Sequence, residues 1–165
     1  MKPFHVATAA EAFAAGVLAR CGCDVLVQYG ANQPEYDLVA TKGDRFLKVS
    51  VKGSQDFGWG FVQGYKKGRS YHEAIEAWAR DQSPHVVYCF VQFGDVALAS
   101  LPQVYLATVA EVVRHMKSTR NGHGTTILYE HHEYKSGLGS GSVDTIPASW
   151  RLSQRRVNDL MRRSA

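Results

Sequence analysis

Asp37, Ser50 and Lys52 lie on two strand-like runs joined at Gly43-Asp44, and Glu11 sits in a helical pattern ahead of them. A carboxylate, a hydroxyl and an ammonium on neighbouring strands, with a second carboxylate close by, can hold a hard cation and manage a proton. Mg²⁺ or Mn²⁺ takes carboxylate, carbonyl and water oxygens. A lysine beside it can orient, or help deprotonate, a water that attacks a phosphodiester. In this reading Asp37, the Val51 carbonyl and Glu11 supply the oxygens, Lys52 handles the water, and Ser50 hydrogen-bonds within the site.

The elements that must position these groups follow from spacing. Ala10, Phe13, Ala14, Val17, Leu18 and Cys21 recur at helical intervals, and Gly22 follows where helices often stop, so residues 8–21 read as an amphipathic helix. Within it Thr8-Ala9-Ala10-Glu11 also reads as a capping box, which would occupy Glu11 structurally. Residues 24–28 and 35–41 read as strands flanking a loop at residues 30–34. From Arg45 to Gly53 the pattern alternates, with Leu47, Val49 and Val51 on one face and Phe46, Lys48, Ser50 and Lys52 on the other. A tight turn at Gly43-Asp44 pairs Lys42 with Arg45 and sets Asp37 opposite Ser50 and Glu35 opposite Lys52. Asp37, Ser50 and Lys52 then share a face, where Glu35 and Lys52 could equally form a cross-strand ion pair.

Further along, residues 54–70 read as an ordered loop with glycines, aromatics and the cations Lys66, Lys67 and Arg69. Residues 71–81 read as a helix, and 85–91 as a strand apolar on both faces. Residues 96–100, 104–107 and 125–130 read as further strands, with a helix at 108–117 between the last two. Residues 136–142 read as a mobile glycine and serine loop, and Ser153 as the cap of a C-terminal helix.

The helix-strand-strand-strand-helix-strand order, with Glu11, Tyr36-Asp37-Leu38-Val39 and Leu47-Lys48-Val49-Ser50-Val51-Lys52-Gly53, resembles the PD-(D/E)XK nucleases, the restriction-endonuclease-like superfamily that includes Holliday-junction resolvases. The likeness covers roughly residues 8–92 and implies an α/β fold: an αβββαβ core with a central mixed sheet flanked by helices. It implies Mg²⁺- or Mn²⁺-dependent hydrolysis of DNA, with Glu11 and Asp37 as metal ligands and Lys52 assisting the water. The family's acidic residue two positions before the lysine is Ser50 here, so metal affinity should fall. Glu73 or Glu76, on the next helix, are the first substitutes, and Asp56 or Gln55 rank below them. Cutting both strands of a duplex calls for two sites, which a homodimer would supply.

Other features carry less chemistry. Trp59 could stack on a base, and the C-terminal Arg155 and Arg156 could join Lys66, Lys67 and Arg69 in neutralising phosphates, although buried aromatics and solvated cations explain the same residues. Cys21, Cys23 and Cys89 read as packing, and His131-His132-Glu133 as surface. The 165 residues are 45% hydrophobic and 21% charged, enough for one domain over 1–165 with a core at about 8–107 and an extension at about 108–165. A formal charge of +4 permits a polyanionic partner. With no apolar run of membrane-spanning length or signal-peptide form, the expectation is a soluble, cytoplasmic protein without a membrane partner. Two other classes stay open: a nucleic-acid-binding domain that keeps the fold without catalysis, and a protein-interaction domain built on the loop around Trp59.

Overall fold

The computed structural model describes residues 1–28 and 35–163, so the loop expected at residues 30–34 lies outside them. The elements are α1 (Pro3–Arg20), β1 (Asp24–Val27), β2 (Leu38–Lys42), β3 (Arg45–Ser54), β4 (Gly58–Trp59), α2 (Tyr71–Arg80), β5 (Val86–Gln92), β6 (Gln103–Thr108), α3 (Val109–Ser118), β7 (Leu128–Tyr129), β8 (His131–Glu133), β9 (Val143–Thr145) and α4 (Gln154–Arg163). The main sheet runs β1-β2-β3-β5-β6. Only β3 and β5 are parallel, and the other neighbours are antiparallel. This is the expected α/β architecture, a mixed sheet with helices on both faces.

Helix α1 starts earlier than its apolar spacing indicates, because Pro3 at its first turn presets the helical φ and has no N-H to leave unpaired. Thr8 is therefore inside the helix, where its hydroxyl donates to the Phe4 carbonyl at 3.0 Å. The capping box is not formed, and Glu11 is free of that role. At the other end Gly22 adopts φ 77, and the Cys23 N-H donates to the Leu18 carbonyl.

Alternation along the central strands divides the core. Leu47, Val49 and Val51 of β3 and Val87, Cys89 and Val91 of β5 pack with Ala10, Ala14 and Leu18 of α1 and Val157 and Leu160 of α4. Val86, Tyr88 and Phe90 of β5 pack on the opposite face with Ile75 and Trp78 of α2 and Val112 and Met116 of α3. All of β5 is buried, as its doubly apolar pattern requires. Cys21, Cys23 and Cys89 are buried free thiols. Burial pushes the Cys89 thiol up to about 12.

Two expected strands fail, and one ribbon was not expected. Residues 96–100 form turns instead of a strand, since nothing pairs them and Leu98 is exposed. The strand at 125–130 shrinks to the two residues of β7, which pair with β4. The small β8–β9 ribbon flanking the glycine and serine loop is too short to announce itself by alternation. Among the described residues, no helix is long and apolar enough to cross a membrane.

One close contact fixes α1 on the sheet. A Cβ at Gly53 would lie 2.9 Å from the Ala10 Cβ, the Val6 Cγ1 and the Val6 carbonyl oxygen. Backbone on one side and a packed helix on the other leave little room to yield. Gly53→Ala is expected to cost about 1–3 kcal/mol, read from urea denaturation, by forcing the helix that carries Glu11 away from β3. An unchanged midpoint would show that α1 shifts freely.

Candidate active site

The expected hairpin register is found: Lys42 pairs with Arg45 and Leu38 with Val49. Asp37 lies just beyond the start of β2 and completes the ladder in two ways. Its N-H donates to the Val49 carbonyl at 2.9 Å, and its Oδ2 accepts from the Val51 N-H at 2.6 Å. The carboxylate thus takes the place of a backbone acceptor where β2 gives out. In an extended strand, the N-H and C=O of one residue leave by the same edge, so the Val51 carbonyl points to the Asp37 side as well. Lys52 follows, its own carbonyl held at 2.9 Å by the Trp59 indole N-H.

Glu11, Asp37, Val51, Lys52 and Asp56 all line one open cavity of about 540 Å³ at the end of the sheet. Glu11 senses its neighbours there. Burial and the Asp37 carboxylate push its pKa up, and the Lys52 ammonium pulls it back in part. Two carboxylates and a lysine are therefore within electrostatic reach of one another. A strand hairpin and a helix held down at Gly53 bring them together.

Other candidates fall elsewhere. Ser50 is 5% exposed, on the β3 position that pairs with Tyr88 of β5, and is outside the cavity lining. The hydroxyl is small enough to be enclosed there. Glu35 has φ 76, β2 begins after it, and no Glu35–Lys52 ion pair forms among the described residues. Glu73 is spent in the capping box of α2, where its Oε2 accepts from the Ser70 N-H at 2.7 Å. Glu76 pairs with Lys117 of α3 at 2.5 Å. Neither lines the cavity, whereas Asp56 and Gln55, ranked below them in the sequence, both do. The Asp56 Oδ1 accepts from the Ser54 hydroxyl at 2.8 Å, and Gln55 is turned to the N-terminus through Met1. Among the described residues, no group of three His, Cys, Asp or Glu side chains is placed to hold a metal.

The expected nucleic-acid contacts divide by burial. Trp59 reaches the cavity wall but is 3% exposed, packed on Phe90 and Tyr105, so no ring face remains for a base. Arg156 is also buried. Its guanidinium donates to the Leu106 carbonyl and to Glu111 Oε2, so it serves the core and not a phosphate. Arg155 is exposed, with its Nε 3.9 Å from Asp159 Oδ2. Lys67 and Arg69 are exposed, and Lys66 lies 4.9 Å over the Tyr71 ring. His131 and His132, read as plain surface, both line a second cavity next to the first. Alternation could not announce it, since the two histidines belong to a strand of only three residues.

No family model matches the chain, and no curated protein matches it. Among solved structures the chain is similar to Hjc of Archaeoglobus fulgidus, a Holliday junction resolvase from an archaeal hyperthermophile. Identity is 17% and the TM-score 0.37, over 62% of this chain and 72% of that one. At that level the likeness adds nothing to the site, which stands on its own side chains.

Proposed function

We propose that the chain is a nuclease-like protein that hydrolyses phosphodiester bonds in DNA with Mg²⁺ or Mn²⁺. The observation that carries this reading is the convergence of Glu11, Asp37, the Val51 main chain and Lys52 on one open cavity. The donors fit a hard cation in type, being carboxylate and carbonyl oxygens, and fall short in number, so water must complete the shell and binding is weak. Glu11, Asp37 and the Val51 carbonyl are the groups that would hold it. Bound there, such an ion supplies Lewis-acid polarisation of a phosphoryl oxygen and acidifies water.

The protein's own groups do the rest. Hydrogen bonding to Val51 commits one Asp37 oxygen and leaves the other for the cavity that Asp37 lines. Lys52 donates hydrogen bonds to the attacking water and balances charge on the phosphate. Glu11, with its pKa raised, gains from a cation, since a positive charge offsets both its burial and the repulsion from Asp37.

The test is cleavage of plasmid, linear, single-stranded and branched DNA with Mg²⁺, Mn²⁺ or EDTA, comparing the native chain with Asp37→Asn. Asparagine keeps an oxygen for the Val51 N-H and removes the charge, so the hairpin survives. Cleavage that requires the divalent ion and is lost in Asp37→Asn is the expected result. Metal-independent cleavage, or full activity in Asp37→Asn, would overturn the assignment. A second reading, DNA binding without cleavage, is favoured by the neutral, enclosed Ser50; retained DNA in EDTA with no cutting under any ion would select it.

A further inference from the structure

The second cavity, of about 830 Å³, is walled by Phe57, Tyr129, His131, His132 and Arg151, and it shares Asp56 with the first. The two are therefore contiguous. Glu130 also lines it; its Oε1 accepts from the Tyr105 hydroxyl at 2.6 Å, and Arg151 interacts with that same hydroxyl, so the arginine stands beside this carboxylate. Arg151, exposed at its bridge to Tyr105 on the edge of β6, is the cation of the wall. Tyr129 and His132 are stacked, with ring centroids 4.2 Å apart and planes 15° off parallel.

A line of rings and cations leads away from this stack. His132 meets Tyr134 edge to face at 4.5 Å. The Arg120 guanidinium lies 5.2 Å over Tyr134 and 5.0 Å over Tyr71, and Lys66 caps the Tyr71 ring. Rings for bases and cations for phosphates are the chemistry that takes up a single nucleic-acid strand; here Arg120 also donates from Nε and Nη2 to the Leu138 carbonyl, so the outlying rings and cations hold one another and buttress the stack, and the ring surface open to a ligand is that of the cavity. A base inside a duplex has both faces covered by its neighbours, so only an unpaired or extruded base could enter a ring-lined cavity. The volume is in the range of nucleotide-sized ligand sites.

We propose that this cavity is a subsite for an unpaired nucleotide of the DNA strand. It deepens, and rests on, the nuclease reading of the adjoining site. The base lies among Phe57, Tyr129 and His132, and its phosphate meets Arg151. Arg151 is the group that offsets the Asp56 and Glu130 carboxylates on this wall, which is why its removal should tell on binding.

Fluorescence anisotropy in EDTA tests this with a labelled thymidylate dodecamer, the matching duplex and free thymidine monophosphate. Arg151→Gln and His132→Ala are each expected to weaken dodecamer binding by about tenfold. His132→Phe, which keeps a ring against Tyr129, retains it, and duplex binding changes little. Thermal melting checks that each variant is folded. Dodecamer affinity unchanged in both variants would overturn the subsite, as would equal losses for duplex and dodecamer. Free nucleotide binding as tightly as the dodecamer would also overturn it, in favour of a mononucleotide pocket. Failure of the subsite is separable from failure of the nuclease reading: the first leaves Asp37-dependent cleavage intact, and the second leaves the dodecamer effects intact with no cleavage.

Discussion

Lys52→Ala is expected to lower DNA cleavage by about 10²–10⁴-fold, the usual scale for removing a group that moves or orients a proton in the transition state. The fold should survive, because the hydrogen bond from the Trp59 indole goes to the Lys52 carbonyl and not to its side chain. A second readout separates chemistry from stability. Lys52 is the group that lowers the Glu11 pKa against burial and Asp37, so its removal moves the Glu11 carboxyl titration further up, as carboxyl NMR would record. Glu11 then ionises at higher pH than in the native chain. Undiminished cleavage in Lys52→Ala would remove this residue from the mechanism.

The largest effect on stability is expected far from the cavity. Arg156, 8% exposed, joins α4 to the start of α3: its Nη2 is 2.5 Å from Glu111 Oε2, and its Nε and Nη2 donate to the Leu106 carbonyl at 3.2 and 3.0 Å. The same carboxylate caps α3 through the Thr108 N-H at 2.8 Å. Arg156→Ala leaves an enclosed carboxylate and a carbonyl without this partner and should cost about 3–5 kcal/mol. Burial pushes the Glu111 pKa up, yet the bonds from Arg156 and Thr108 outweigh it and hold the carboxyl below its usual value. A depressed native pKa means that stability is present above the unfolded value and lost as pH falls through the native one. The gap between native and variant denaturation midpoints should therefore narrow in acid. A gap independent of pH would assign the loss to packing alone.

Local rules made part of this molecule readable before its structure. The Lys42–Arg45 turn and the β3 alternation needed only neighbours in sequence, and they carried Asp37 and Lys52 to the same end of the sheet. What escaped depended on distant packing. Glu73 and Glu76 looked better placed than Asp56, but a Ser70 cap and Lys117 claim them, and Lys117 belongs to another helix. Arg156 and Trp59 have the composition of surface recognition residues and are buried, because α4 folds back on β6 and the glycine-rich loop folds under its own tryptophan. Thr8 and Glu11 matched a capping box that Pro3 made unnecessary.

The bond between the Asp37 carboxylate and the Val51 N-H has a bearing on how the chain assembles. Hairpins close in about 1–10 µs, ahead of parallel pairing across a long crossover such as the one from β3 to β5. A slip of one residue in that hairpin would turn Leu38 and Ala40 to the wrong face and, in the same stroke, carry the carboxylate away from its N-H. Asp37 therefore acts as a key for the pairing: the arrangement that buries the apolar face is also the one that seats the carboxylate. A misregistered hairpin would be penalised before β5 arrives to lock it in place.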